Sequence, residues 1–211
     1  RIYFGENVPD YSIIGGVKTD SPVEFDYPDD SSANGQKNYT YTGTGGVPVG
    51  SLINKLVFAF KYQEQKLLLS SLINKDSKIL FERNPRERVA KVAPWLTLDG
   101  DPYPAIIDGR VLWIIDGYTT SAGYPYSKQI SLSAATNDAL TASSSSVTAQ
   151  RNTGINYIRN SVKATVDAYD GSVTLYQWDE KDPVLATWSK AFPGTVQAKS
   201  KISKDLLSHI R

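Results

Sequence analysis

Apolar residues along this chain recur with two periods, and each period marks a different kind of element. From Ser51, placed after Gly50 as an N-cap, Leu52, Ile53, Leu56, Val57 and Phe60 repeat at helical spacing and predict an amphipathic helix. A second short helix is predicted over residues 65–73, although the consecutive Leu67, Leu68 and Leu69 equally suit a buried strand. Asn84 as cap, Pro85 at the first helical position and Glu87 three residues after the cap open a third helix, which Pro94 ends. Asp182-Pro183 opens another, with Val184, Leu185, Trp188 and Phe192 sharing a side and Pro193-Gly194 stopping it. A last helix starts near Ser203 and carries Leu206, Leu207 and Ile210 to the end of the sequence.

Between these helices the period drops to two. Residues 103–107 and 110–118 read as strands joined at Asp108-Gly109, a pair suited to a two-residue type I′ turn. Val111, Trp113 and Ile115 point one way and Leu112 and Ile114 the other, so this hairpin is expected to be covered on both faces. Residues 161–169 and 172–179 form a second pair around Asp170-Gly171, also expected as a type I′ turn. Here Val162, Ala164, Val166, Ala168, Val173 and Leu175 share one face. Lys163, Thr165, Asp167, Thr174, Tyr176 and Trp178 share the other, expected to be wet or interfacial. Residues 1–40 predict short strands and turns, and the Ser/Thr/Ala-rich stretch 131–153 a mobile loop. The fold class is α+β: antiparallel hairpins packed with several short amphipathic helices.

Composition narrows the function classes. At 211 residues a single domain is the default. With 23 basic and 22 acidic residues the formal charge is +1, which offers no field to hold a phosphate backbone, so nucleic acid is not an expected partner. Zero cysteines exclude disulfides, thiol nucleophiles and thiolate-held metals. The chain opens on Arg1 and contains no methionine, so it is expected to be a fragment of a longer polypeptide. Its apolar runs fall far short of the roughly 20 residues of a membrane helix.

Candidate chemistry is sparse. The segment TGTGGVPVGS at 42–51 has the glycine density of a phosphate loop, but Pro48 stands at the third glycine position and no lysine follows Gly50, so turns before a helix explain it better. His209 is the sole histidine, which leaves no triad and no transition-metal set. Neither metal nor cofactor is expected. Asp99, Asp101, Asp108 and Asp116 flank the first hairpin near Trp95, Trp113, Tyr103, Tyr118, Tyr124 and Tyr126. Paired carboxylates among aromatics is the arrangement of glycoside hydrolysis, whereas turn chemistry accounts for Asp108 and for Asp99 to Asp101. Asp99 and Asp101 lack the further oxygen spacing of a calcium loop. Arg83, Arg86 and Arg88 form a basic cluster expected to pair with Glu82 and Glu87, with an anionic headgroup site as the sharper alternative. As binding residues the sequence offers Trp95, Asp101, Tyr103, Asp116, Tyr118, Tyr124, Tyr126, Tyr176 and Trp178; it offers none as catalytic.

Several segments carry a family resemblance: APWLTLD at 93–99, DPYP at 101–104, DGRVLWIIDGYTTS at 108–121, YPYS at 124–127 and RNSVKATVDAYDG at 159–171. With YFGE at 3–6 and RNPRERV at 83–89, the chain resembles uncharacterised protein family 0182 over most of its length, residues 131–153 excepted. These are large multi-pass membrane proteins best known in actinobacteria. The resemblance implies an extracytoplasmic domain following several membrane spans, in a protein of unestablished activity, with no catalytic residue to carry over. The expected role is therefore a binding or assembly module of the cell envelope. Its partners would be the rest of its own polypeptide, membrane spans included, or an envelope component. A carboxylate-based glycan hydrolase and the substrate-capturing outer domain of a transporter are the rivals.

Overall fold

The computed structural model describes residues 1–16, 22, 24–132 and 154–211. Chain length suggests one domain; the described residues form two compact units, Arg1 with Pro9–Arg83 and Ile2–Val8 with Asn84–Arg211. Most of the expected segment 131–153 lies outside the described residues.

The first unit is built on short strands, as the weak periodicity of its early residues implies. Strands β1 (Tyr11–Ile14), β4 (Val47–Pro48) and β5 (Lys78–Phe81) form an antiparallel sheet in the order β1-β5-β4, and β2 (Glu24–Pro28) pairs with β3 (Gln36–Tyr39). Helix α1 (Leu52–Tyr62) starts where the sequence places it: the Ser51 hydroxyl accepts the Asn54 N–H. It stops at Gln63, which takes a left-handed φ of 53°. Helix α2 is one turn, Lys66–Leu69, shorter than the expected 65–73, and ends at Ser70, which takes an extended conformation. That core joins Val49, Phe58, Ala59, Leu67, Ile73 and Ile79. The glycine segment serves packing. A side chain at Gly50 would lie 2.5 Å from the Asn74 carbonyl, so only glycine allows the backbones to approach there.

The second unit holds the main sheet, in the order β13-β12-β11-β8-β6 with β7 also paired to β8. Its strands are β6 (Thr97–Leu98), β7 (Tyr103–Ile107), β8 (Arg110–Ser121), β11 (Tyr157–Asp167), β12 (Val173–Gln177) and β13 (Val196–Gln197). A small pair, β9 (Ile130–Ser131) and β10 (Gly154–Ile155), stands apart. Helices α3 (Pro85–Val92) and α4 (Pro183–Ala191) supply Val89 and Leu185 to one face, where they meet Ile115, Val162, Ala164, Val166 and Leu175. Helix α5 (Lys204–His209) supplies Leu206 to the other face, against Ile107 and Ile114. Ile114 and Ile115 are therefore both fully buried, as the doubly apolar pattern of β8 requires.

The two Asp-Gly sites differ. Asp108 and Gly109 both take positive φ, 49° and 77°, and Ile107 faces Arg110, which is the expected two-residue turn. At Asp170-Gly171 only Gly171 has positive φ, and Asp167 bonds Ser172 across a four-residue loop. The cause is Asp167, whose carboxylate accepts the Tyr169 and Asp170 N–H groups and holds the chain in a longer turn.

Candidate functional site

The polar face of the main sheet is where the sequence-derived residues converge. Strand register puts Thr97 opposite Tyr118 and Leu98 opposite Gly117, and the Asp99 N–H donates to the Asp116 carbonyl at 2.9 Å. Asp99 and Asp116 thus oppose each other across paired strands, a position that sets Cβ atoms about 4.5–5.5 Å apart. Both carboxylates are engaged. Asp99 accepts the Tyr118 hydroxyl at 2.8 Å on Oδ2 and the Asp101 N–H at 2.9 Å on Oδ1. Asp116 accepts Lys163 Nζ at 2.6 Å on Oδ1 and Asn160 Nδ2 at 2.7 Å on Oδ2. Burial first, then the Asp99 bond and the nearby Asp116 charge, push the Tyr118 hydroxyl well above the usual tyrosine value, so it stays a donor.

Lys163 lies on the face expected to be wet or interfacial, yet its side chain is 1% exposed. Thr165 and Asp167 on the same face are buried as well. The chain's own C-terminal segment covers this face: Tyr176, Ile202 and Ile210 pack against the cluster of Ile107, Ile114 and Leu206, and Lys163 and Lys199 lie 5.4 and 4.0 Å from the Trp178 ring. Tyr103 joins the same cover, donating to the His209 carbonyl at 3.2 Å while the Arg211 guanidinium lies 4.5 Å from its ring. An aliphatic stem ending in one charge, between a carboxylate and an indole, is what lets a lysine be buried here.

The remaining residues sit elsewhere. Asp101 is exposed. Trp95 stacks on Trp188 at 5.5 Å, and Trp188 on Phe192 at 5.9 Å, a ladder on the α4 side of the sheet. Tyr124 stacks on Tyr157 at 4.9 Å, and Tyr126 beyond it is fully exposed. The three arginines each donate to backbone carbonyls. Arg83 donates to the Pro9 and Tyr11 carbonyls, Arg86 to those of Leu98 and Asp99, and Arg88 to that of Gly171.

A second polar cluster was not legible in the sequence beyond its helix-capping role. Asp182 is buried and accepts the Thr119, Ser161 and Tyr157 hydroxyls together with the Val184 N–H. Burial alone would raise its pKa; those four donors outweigh it and hold the carboxyl below the usual value. Burial and the bond to Asp182 push Tyr157 up to about 12. The only early signal is Asp182-Pro183, since Thr119 and Ser161 look like ordinary strand residues. Among the described residues no group of three or more His, Asp or Glu is placed to hold a metal, and no helix is long and apolar enough to cross a membrane.

Set beside known proteins, the sequence model described as "Uncharacterised protein family (UPF0182)" matches residues 1–211. UPF0182 proteins of Frankia alni and of Arthrobacter sp. strain FB24 are 57% and 56% identical over 211 residues. One of Kineococcus radiotolerans is 57% identical over 212 residues. Each alignment covers 100% of this chain but only 20–21% of the relative, so the chain spans about a fifth of their length. No solved structure matches it.

Proposed function

The chain belongs to the uncharacterised protein family UPF0182, and from that premise we propose that it is an extracytoplasmic assembly domain of a larger, multi-pass membrane protein of the cell envelope. The observation that carries the assembly reading is the engagement of Asp99 and Asp116: all four of their carboxylate oxygens accept donors from the chain itself. A general acid needs a proton on an oxygen that faces substrate. These oxygens instead tie β6, β8 and β11 together and hold Lys163. What the surface of this unit offers is apolar contact, from the Trp95–Trp188–Phe192 ladder and the exposed Tyr124 and Tyr126. The envelope setting rests on the motif resemblance and on relatives about five times longer than this chain.

A membrane-impermeant maleimide applied to intact cells producing the full-length protein tests the setting. Tyr126→Cys, at an exposed position, is expected to label in intact cells as fully as after lysis. Labelling confined to lysed cells contradicts it.

The cross-strand pairing that sets two aspartates side by side keeps the hydrolase as second reading, since glycosidases work with a pair of carboxyl groups. Turnover of an envelope glycan that Asp116→Asn abolishes would establish that reading over the first. No turnover is the outcome expected.

A further inference from the structure

Helix α1 carries its apolar residues on the wrong side for a core helix. At 100° per residue, Leu52, Leu56, Phe60, Ile53 and Val57 fall within one arc of about 140°. Every one of them is exposed, Ile53 by 73% and Phe60 by 88%. Of the residues that α1 does bury, Phe58 lies opposite this arc and Ala59 beside its Leu52 edge, and both join the core of Val49, Leu67 and Ile79. The helix is therefore apolar on two sides, and its unit covers only one. Helices of this composition are stable in water only when both sides are covered, and a monomer rarely leaves so continuous an apolar stripe exposed without using it.

The shape of the stripe identifies what fits it. Leu52, Leu56 and Phe60 form one i, i+4, i+8 ridge, and Ile53 and Val57 a second beside it, with a groove between them that takes the ridge of another helix. The stripe contains no charged side chain. Both lysines of α1 lie outside it: Lys55 Nζ donates to the Ile73 carbonyl at 2.8 Å, and the partly exposed Lys61 pairs with Glu82 at 3.6 Å. A helix that lies on a bilayer surface flanks its apolar side with cations free to face the headgroups, whereas α1 commits Lys55 to a backbone carbonyl and Lys61, at the Val57 edge, to Glu82. The partner is thus a dry helical surface. Relatives extend over about five times the length of this chain, and a tethered segment meets the stripe at an effective concentration that a second copy does not reach.

We infer that the Leu52–Phe60 stripe of α1 is the docking surface for an apolar helix from the part of the same polypeptide outside residues 1–211. This rests on the assembly reading and names the surface through which assembly occurs; it holds whichever side of the membrane the domain occupies. The test is photo-cross-linking in the full-length protein, with p-benzoylphenylalanine at position 60 or, separately, at position 56. Both side chains are exposed, so the core of the unit is undisturbed. The same reporter at position 126 serves as control. The expected product from positions 60 and 56 is an internal cross-link to one peptide outside residues 1–211, with no change in the mass of the denatured chain and no such product from position 126. A doubled mass with cross-links between two copies of residues 52–60 would overturn the proposal, as would lipid adducts or the absence of any cross-link.

Discussion

At the scale of single residues, burial of Lys163 organises the polar face of the main sheet, and removing either member of its ion pair should not cost the same. Lys163 is 1% exposed and Asp116 21%, so Asp116→Ala leaves a buried ammonium with only the Arg211 main-chain oxygen to accept from it, while Lys163→Met leaves a carboxylate that water and Asn160 still reach. Asp116→Ala is expected to cost about 3–5 kcal/mol of stability and Lys163→Met clearly less, read from denaturant midpoints. Equal losses would show that the pair is not as asymmetrically buried as its surroundings indicate. Asp182 gives a pH signature. Its folded pKa lies below the unfolded value, so its contribution is complete above about pH 4 and is lost as pH falls through the folded value. Asp182→Asn should therefore cost about 1–3 kcal/mol at neutral pH, and the two unfolding curves should converge in acid. A difference that persists at the lowest pH would assign the loss to packing instead.

At the scale of elements, local chemistry was legible wherever the chain itself supplies the partner. Ser51, Asn84, Asp182 and Ser203 all cap the helices they were expected to open, and Asp108-Gly109 makes the expected turn, because cap and turn residues act on backbone within a few positions. Asp170-Gly171 departs from the expected two-residue turn because the Asp167 carboxylate, three residues before it, holds the chain in a longer loop, and Phe4 packs against Gly171. A side chain at Gly171 would lie 2.6 Å from Phe4 Cε1, whereas nothing stands within 4 Å of one at Gly109. Gly109→Ala should accordingly cost about 1–2 kcal/mol for its left-handed backbone alone. Gly171→Ala should cost more by about 1–3 kcal/mol of steric crowding. Thermal unfolding of the two variants separates these terms, and equal losses would mean that the Phe4 ring yields without cost. The same limit on local reading explains the second hairpin. Alternation assigned its two faces correctly, but could not show that the C-terminal segment covers Lys163, Tyr176 and Trp178. Helix α1 is the converse, since its period was plain while the direction of its apolar stripe was not.

At the scale of the whole molecule, the described residues form two compact units, and the chain spans about a fifth of the length of the relatives it matches. The second unit closes the Asp99, Asp116 and Lys163 cluster on itself, while the first leaves an apolar helix face open. Under the proposed assembly reading, the open face of α1 is the part of the chain that contact with the rest of its polypeptide would finish. Oxidative footprinting of α1 side chains, compared between residues 1–211 alone and the full-length protein, tests this most directly. The account predicts that Leu56 and Phe60 react freely in the 211-residue chain and are protected by about tenfold or more in the full-length protein, with Tyr126 as the internal reference. Equal reactivity of Phe60 in the two forms would contradict it.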